Sequence, residues 1–236
     1  MKTLRVGAAF PDPPFNGVGD GGLDVDLINA IAGVLGVSVQ LVAYDGPDFD
    51  GIFGGLGSGD YDCVVSGTTV TPDRERMAAF GPPYLVSGQS LAVDTQRLPT
   101  VRSVDDLVGL TIGVQQGNTS QPIAERLVAH GKAKAVRVYP YGDIRTALTD
   151  LTTGGCDAFM KLAPVLTELV GPVAGVEVVQ RNLSRENIAI AVATGADALL
   201  QRMATAQAEL EDSGTLQRLR RTWLGNPYID QSLAAH

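Results

Sequence analysis

The chain predicts an α/β fold of two lobes, each a mainly parallel sheet flanked by helices. Three observations carry this expectation. Short β-rich runs alternate with helix-period segments along the chain. Two stretches, LGSGDYDCVV (Leu56–Val65) and LTTGGCDAFM (Leu151–Met160), place Leu, Gly and Asp at the same offsets of 0, 3 and 6. Two segments, Leu91–Asp105 and Asn182–Arg185, read as connections where the chain leaves one lobe and later returns to it.

The elements follow in order. Strands are expected at Leu4–Ala9, Ser38–Tyr44, Asp62–Ser66, Thr111–Val114, Val136–Tyr139, Ala158–Lys161 and Ile188–Val192. Between them, Asp24–Leu35 sets Leu27, Ile28, Ile31 and Leu35 on one helical face. Asp143–Leu151 does the same with Ile144, Ala147, Leu148 and Leu151, and Asp197–Leu210 with Leu199, Met203, Ala206 and Leu210. In each repeated stretch a helix ends at glycine and a strand begins after the aspartate. The polar LAVDTQRLPTVRSVD (Leu91–Asp105) reads as a connection with a new helix start at Ser103. Two crossings make the first lobe discontinuous, residues 1–88 and 184–236, around a second lobe of residues 89–183. A cleft between lobes is then the expected place for a small ligand.

Bulk properties narrow the function. The 236 residues are 44% hydrophobic and 19% charged, an ordinary globular balance. A net charge of -8 disfavours nucleic acid and anionic membranes as partners. No apolar run approaches the roughly 20 residues that a bilayer span needs. LRVGAAF (Leu4–Phe10) reads as a strand rather than a leader, so the chain is either extracytoplasmic with its leader absent or intracellular. Cys63 and Cys156 show no zinc spacing, and their places in separate lobes predict two free buried thiols. With only His130 and His236, a histidine metal site or triad is not expected, and neither is a cofactor.

The stretch SGTTVTPDRER (Ser66–Arg76) is the strongest local signal. Thr71 reads as an N-cap, with Pro72 and Asp73 opening the helix. That explains half of it. Ser66, Gly67 and Thr69 precede the cap at the C-terminal end of a strand, the edge where open α/β sheets hold ligands. Arg74 sits in a first turn whose dipole does not favour a cation. A carboxylate clamped by its guanidinium would account for it. In GVQQGNTSQP (Gly113–Pro122) a helix again opens after a glycine turn. There Gly117 to Ser120, with Asn118 and Thr119 between them, would offer N–H groups to an anion, or simply cap the helix. Phe15 and Phe49 lie near glycine- and proline-rich loops as core residues or as aromatic walls.

Taken in order, PPF, GLDVDLINAIAGVLG, DFDGIFGGLGSGDYDCVVSGTTVTPDRER, FGPPYLVSGQSLAV, LVGLTIGVQQGNTSQ and DSGTLQRLRRTWLG resemble bacterial solute-binding proteins of the polar amino-acid class, family 3. The resemblance spans Leu4 to Gly225 and implies the two-lobed periplasmic-binding-protein type II fold. It also implies roles. Ser66, Gly67 and Thr69 would contact the ligand's α-amino group or carboxylate, and Arg74 would clamp the carboxylate. Thr119 would add a hydroxyl and N–H from the second lobe, and Phe49 one aromatic wall.

Two positions depart from the family pattern. Where the family delivers an aspartate to the ligand's α-ammonium, this chain has Leu162, preceded by Lys161, placed to approach the ligand side chain. The family's first-lobe aromatic wall is Asp12 here. An ammonium buried without a carboxylate is costly. Either Asp12 takes the amine, or the ligand lacks one and Arg74 with Lys161 hold a carboxylate and a second acceptor.

The leading expectation is a monomeric, non-enzymatic binder of a carboxylate-bearing solute. It would close like a hinge on its ligand and deliver it to the membrane permease of an ABC transporter. Two rivals stand beside it: a dehydratase acting on a cyclic carboxylate such as prephenate or arogenate, and the ligand-binding domain of a sensory receptor.

Overall fold

A computed structural model describes residues 3–17 and 21–225 of the chain; His236 lies outside the described residues. The elements run in order β1 (Thr3–Ala9), α1 (Leu23–Leu35), β2 (Ser38–Tyr44), α2 (Gly54–Ser58), β3 (Cys63–Val64), α3 (Pro72–Glu75), β4 (Ala79–Ser87), β5 (Gln89–Asp94) and β6 (Thr111–Gln115). They continue through α4 (Ser120–Ala129), β7 (Ala135–Tyr139), α5 (Ile144–Thr153), β8 (Ala158–Leu162), α6 (Ala163–Val170), β9 (Val176–Gln180), β10 (Glu186–Val192), α7 (Asp197–Asp212) and α8 (Thr215–Leu224).

The described residues form two compact units. Unit 1 takes those of Met1–Asp45, Asp50–Val86 and Glu186–His236; unit 2 takes Gly46–Phe49 and Ser87–Arg185. Each holds one five-stranded sheet, ordered β2-β1-β3-β10-β4 in the first and β7-β6-β8-β5-β9 in the second. In both, one strand pairs in parallel with two neighbours: β1 with β2 and β3, and β6 with β7 and β8. Antiparallel pairing enters through β10 on β3, and through β5 on β8 and β9.

The expected strands are present, with β3 shorter than Asp62–Ser66, so that Ser66 lies beyond the strand. Three strands escape the period-two signal. Pro82 and Pro83 in β4 lack the N–H a central ladder needs, and β4 is accordingly at a sheet edge. β9 is also an edge strand. β5 overturns the reading of Leu91–Asp105 as a connection throughout: Gln89–Asp94 is an inner strand, buried along its whole length. Buried on both faces, it lacks the polar alternation that marks a half-exposed strand. The helix start at Ser103 is present, but the helix is short. Ser103 accepts from the Asp105 amide and Asp106 reaches back to the Ser103 amide, but the capping box closes only the short 3-10 turn Val104–Asp106.

The repeated Leu-Gly-Asp stretches play one role twice. Gly59 and Gly154 end α2 and α5 in the left-handed region, at φ 77° and 92°. Three residues on, Asp62 accepts the Arg5 amide at 2.8 Å and Asp157 the Thr111 amide at 2.9 Å. Each carboxylate thus anchors the strand, β1 or β6, on which its sheet is built. Cys63 and Cys156 are free, buried and in different units.

Candidate functional site

The predicted site residues divide between the units, and each unit presents its own polar cluster.

In unit 1, β3 ends at Val64 and the chain turns through Ser66–Thr71 into α3. The turn is pinned at every step. Ser66 Oγ accepts the Ala9 amide at 3.0 Å, and the Gly67 amide donates to Asp24 Oδ2 at 2.6 Å. Gly67 has φ +56°, and a Cβ there would stand 2.9 Å from the Phe15 ring, so only glycine fits. Thr68 O accepts the Ala189 amide, and Thr69 Oγ1 donates to Glu186 Oε2 at 2.7 Å. Thr71 caps α3 as its spacing predicts, accepting the Arg74 amide at 3.2 Å.

Arg74 is 3% exposed although it stands in the first turn of a helix. Its Nε donates to Asp50 Oδ1 and its Nη1 to Thr69 O, both at 2.9 Å, and its guanidinium lies 5.7 Å from the Phe53 ring centre. Four fixed features therefore orient one cation: an acid, a carbonyl, an aromatic face and a capped helix. Asp12 is buried at the start of the turn after β1, where its amide donates to Asn16 Oδ1 and its carbonyl accepts from Phe15 and Asn16. Phe15 is fully buried against Gly67, a core role.

In unit 2, Phe49 is held from two sides. Its amide donates to Gln116 O at 3.2 Å, and its ring meets Tyr141 at 5.4 Å between centroids. By number it falls in the first expected lobe, yet the piece Gly46–Phe49 packs with unit 2. Lys161 is buried near the end of β8. Its Nζ donates to Gln115 Oε1 at 2.7 Å and lies 5.5 Å from the Tyr141 ring centre. Gln115 also donates to Tyr141 O. Leu162, the last residue of β8, is buried and pairs with Gln89. Thr119 lies just before α4 without capping it; its hydroxyl accepts from Gln89 Nε2 at 3.0 Å. Asn118 closes the turn before it, donating to Gln115 O and accepting from Gln121. Gly117 supplies the left-handed angle at φ +76°.

The sequence reading missed Asp24, Asp50, Glu186, Gln115 and Gln89 as partners of these residues. Asp50 stands beside Phe49 in DFDG, and Gln115 lies within GVQQGN, so both were in view. Glu186 carries no local signal, since it lies 117 residues from Thr69. Among the described residues no group of three or more His, Cys, Asp and Glu is placed to hold a metal ion.

Two mixed α/β units, each bearing a polar cluster beside the C-terminal ends of its strands, define the class of periplasmic binding proteins. The chain belongs to the bacterial extracellular solute-binding proteins, family 3, whose pattern it matches over residues 4–226. It is 30% identical over 228 residues to the L-cystine-binding protein TcyJ of Escherichia coli strain K12, covering 94% of this chain and 83% of that one. Among solved structures, an ancestral arginine-binding protein bound to arginine matches with a TM-score of 0.85 at 33% identity, over 95% of this chain and 99% of that one. The ancestral amino acid-binding protein AncCDT-1, described as a precursor of cyclohexadienyl dehydratase, matches at 0.81 and 30%, over 94% and 95%. The chain is a solute-binding protein by family. Among the described residues no helix is long and apolar enough to cross a membrane.

Proposed function

We propose that this chain binds a small carboxylate-bearing solute, an α-amino acid, outside the cytoplasm and delivers it to the membrane permease of an ABC transporter. The observation that carries the reading is Arg74, buried and oriented by Asp50 and Thr69 O. A guanidinium held in one pose loses little freedom on meeting a carboxylate. Ser66, Gly67 and Thr69 stand with it as the unit 1 contacts. Phe49, Asn118, Thr119, Lys161 and Leu162 are the contacts from unit 2.

The amine has candidate partners despite Leu162. Besides Asp24 on the Gly67 amide, unit 1 carries Asp50 on Arg74, Glu186 on Thr69, and Asp12 after β1. We assign the α-ammonium to these acids. Lys161, with Gln115 and Tyr141, then meets the rest of the ligand. The amino-acid binders among the relatives support this choice over an amine-free acid.

A thermal-shift panel tests it, pairing each common L-amino acid and L-cystine with its des-amino counterpart. Ligand at about 100 times its dissociation constant adds roughly 2.7 kcal/mol, which for a chain of this length raises Tm by roughly 5–10 °C. Shifts with amino acids alone support the assignment. Shifts with the amine-free acids alone overturn the ammonium role and leave the carboxylate role standing. No shift with either overturns both. Ligand recovered unchanged after incubation separates binding from turnover.

A further inference from the structure

We propose that Asp24 is a positioning residue for ligand binding: its buried carboxylate holds the Gly67 amide and so sets the turn on which Arg74 is oriented. This inference rests on the reading of Ser66–Arg74 as the ligand site. Asp24 stands in the first turn of α1 and is 1% exposed. Its two oxygens divide their work. Oδ2 accepts the Gly67 amide and Oδ1 the Tyr84 hydroxyl, each at 2.6 Å.

Both contacts lead somewhere. Tyr84 is fully buried on β4, and its carbonyl accepts from Arg220 Nε at 2.7 Å. Arg220 is itself paired with Glu211, so the hydroxyl is presented from a braced strand. On the other side, Gly67 is pressed between the Phe15 ring and the Asp24 oxygen. Two residues further on, Thr69 O accepts from Arg74 Nη1. A shift of Gly67 is therefore passed along a two-residue lever to the carbonyl that orients the guanidinium.

The choice of a carboxylate is costly for a mere brace. Burial raises the pKa of Asp24 to about 7 against the pull of Tyr84 and Gly67, with the Asp12 charge adding to the rise. Groups kept at such a cost concentrate where geometry serves binding.

Three variants test the inference by calorimetric titration with the tightest-binding member of the L-amino-acid and L-cystine panel, each checked for folding by thermal unfolding. Asp24→Ala removes the anchor and is expected to weaken binding by about tenfold or more. Asp24→Asn keeps both contacts, because its amide oxygen accepts from Gly67 and its NH2 donates to the Tyr84 oxygen; its affinity stays within about threefold of wild type. Tyr84→Phe keeps the bond from the Gly67 amide to Asp24 and removes a hydroxyl that the same amide also reaches, so Tm falls while affinity again stays within about threefold. A folded Asp24→Ala that binds within about twofold of wild type overturns the inference. So does a loss of about tenfold in either Asp24→Asn or Tyr84→Phe, since the effect would then follow charge or core packing rather than the anchor. If Asp24→Ala does not fold, the other two variants decide by the same limits. A wild-type chain that binds no member of the panel overturns the functional reading first, and this inference with it.

Discussion

The two units share a scaffold code and differ in the chemistry placed on it. In both, a leucine, a glycine and an aspartate at the same spacing end a helix, start a strand and anchor a neighbouring strand through a backbone amide. The polar clusters do not repeat. Unit 1 pairs Arg74 with Asp50 and Thr69 with Glu186 and buries Asp12 after β1, whereas unit 2 sets Lys161 against the neutral Gln115 and Tyr141, with Leu162 beside it. A strand's anchor needs only local geometry, so the same solution serves twice. The groups proposed to meet a ligand share no such common demand, so they diverge.

The sharpest break of this comparison is at the cations. Arg74→Ala is expected to abolish binding, with affinity down by about 100-fold or more, because a desolvated charge-assisted contact is worth roughly 2–5 kcal/mol. Titration with the panel ligand reads this directly. Affinity unchanged in that variant removes Arg74 from the site.

The titration of Asp24 gives an effect of the next size, in unit 1 alone. Its folded-state pKa of about 7 lies above the ordinary 3.8, so the folded chain holds the proton more tightly than the unfolded one. Its contribution to stability is therefore fully present below pH of about 4 and is lost as the pH rises towards and through about 7. Urea unfolding from pH 4 to pH 8 should show this loss, and Asp24→Asn should flatten it. An unchanged slope in that variant places the titration elsewhere.

Next come the shared anchors. Asp62→Ala and Asp157→Ala each remove a charged acceptor from a strand amide and should cost about 1–3 kcal/mol, read as a lower urea midpoint. Similar losses sustain the equivalence of the two stretches; a loss confined to one breaks it. Smallest is Thr71→Ala, which removes the cap of α3 for about 1 kcal/mol and lowers Tm by roughly 2–4 °C.

How far the sequence could be read follows the range of each interaction. Thr71 as a cap was legible because its partner is the Arg74 amide three residues on. Gly59 and Gly154 were legible as helix ends because the left-handed angle is a property of the residue itself. β5 was not, since a strand buried on both faces loses its alternation, and Leu91–Asp105 mixes that strand with a true polar connection. Arg74 was suspected from its awkward place in a helix's first turn, but its partner Asp50 lies 24 residues away. Lys161 was legible as a candidate from its place before Leu162, but its partner Gln115 lies 46 residues away.

By itself, then, the sequence determined seven of the ten described strands, the cap at Thr71, the helix ends at Gly59 and Gly154 and the two matching stretches, all of which depend on hydrogen bonds within a few residues or on backbone preference. Only the tertiary structure decided that the Gly67 amide meets Asp24, that Thr69 meets Glu186, and that Phe49 packs with Tyr141 in unit 2. Those pairings depend on which strands lie side by side, and sheet order is set by the collective burial of apolar faces, which no single stretch of the chain encodes.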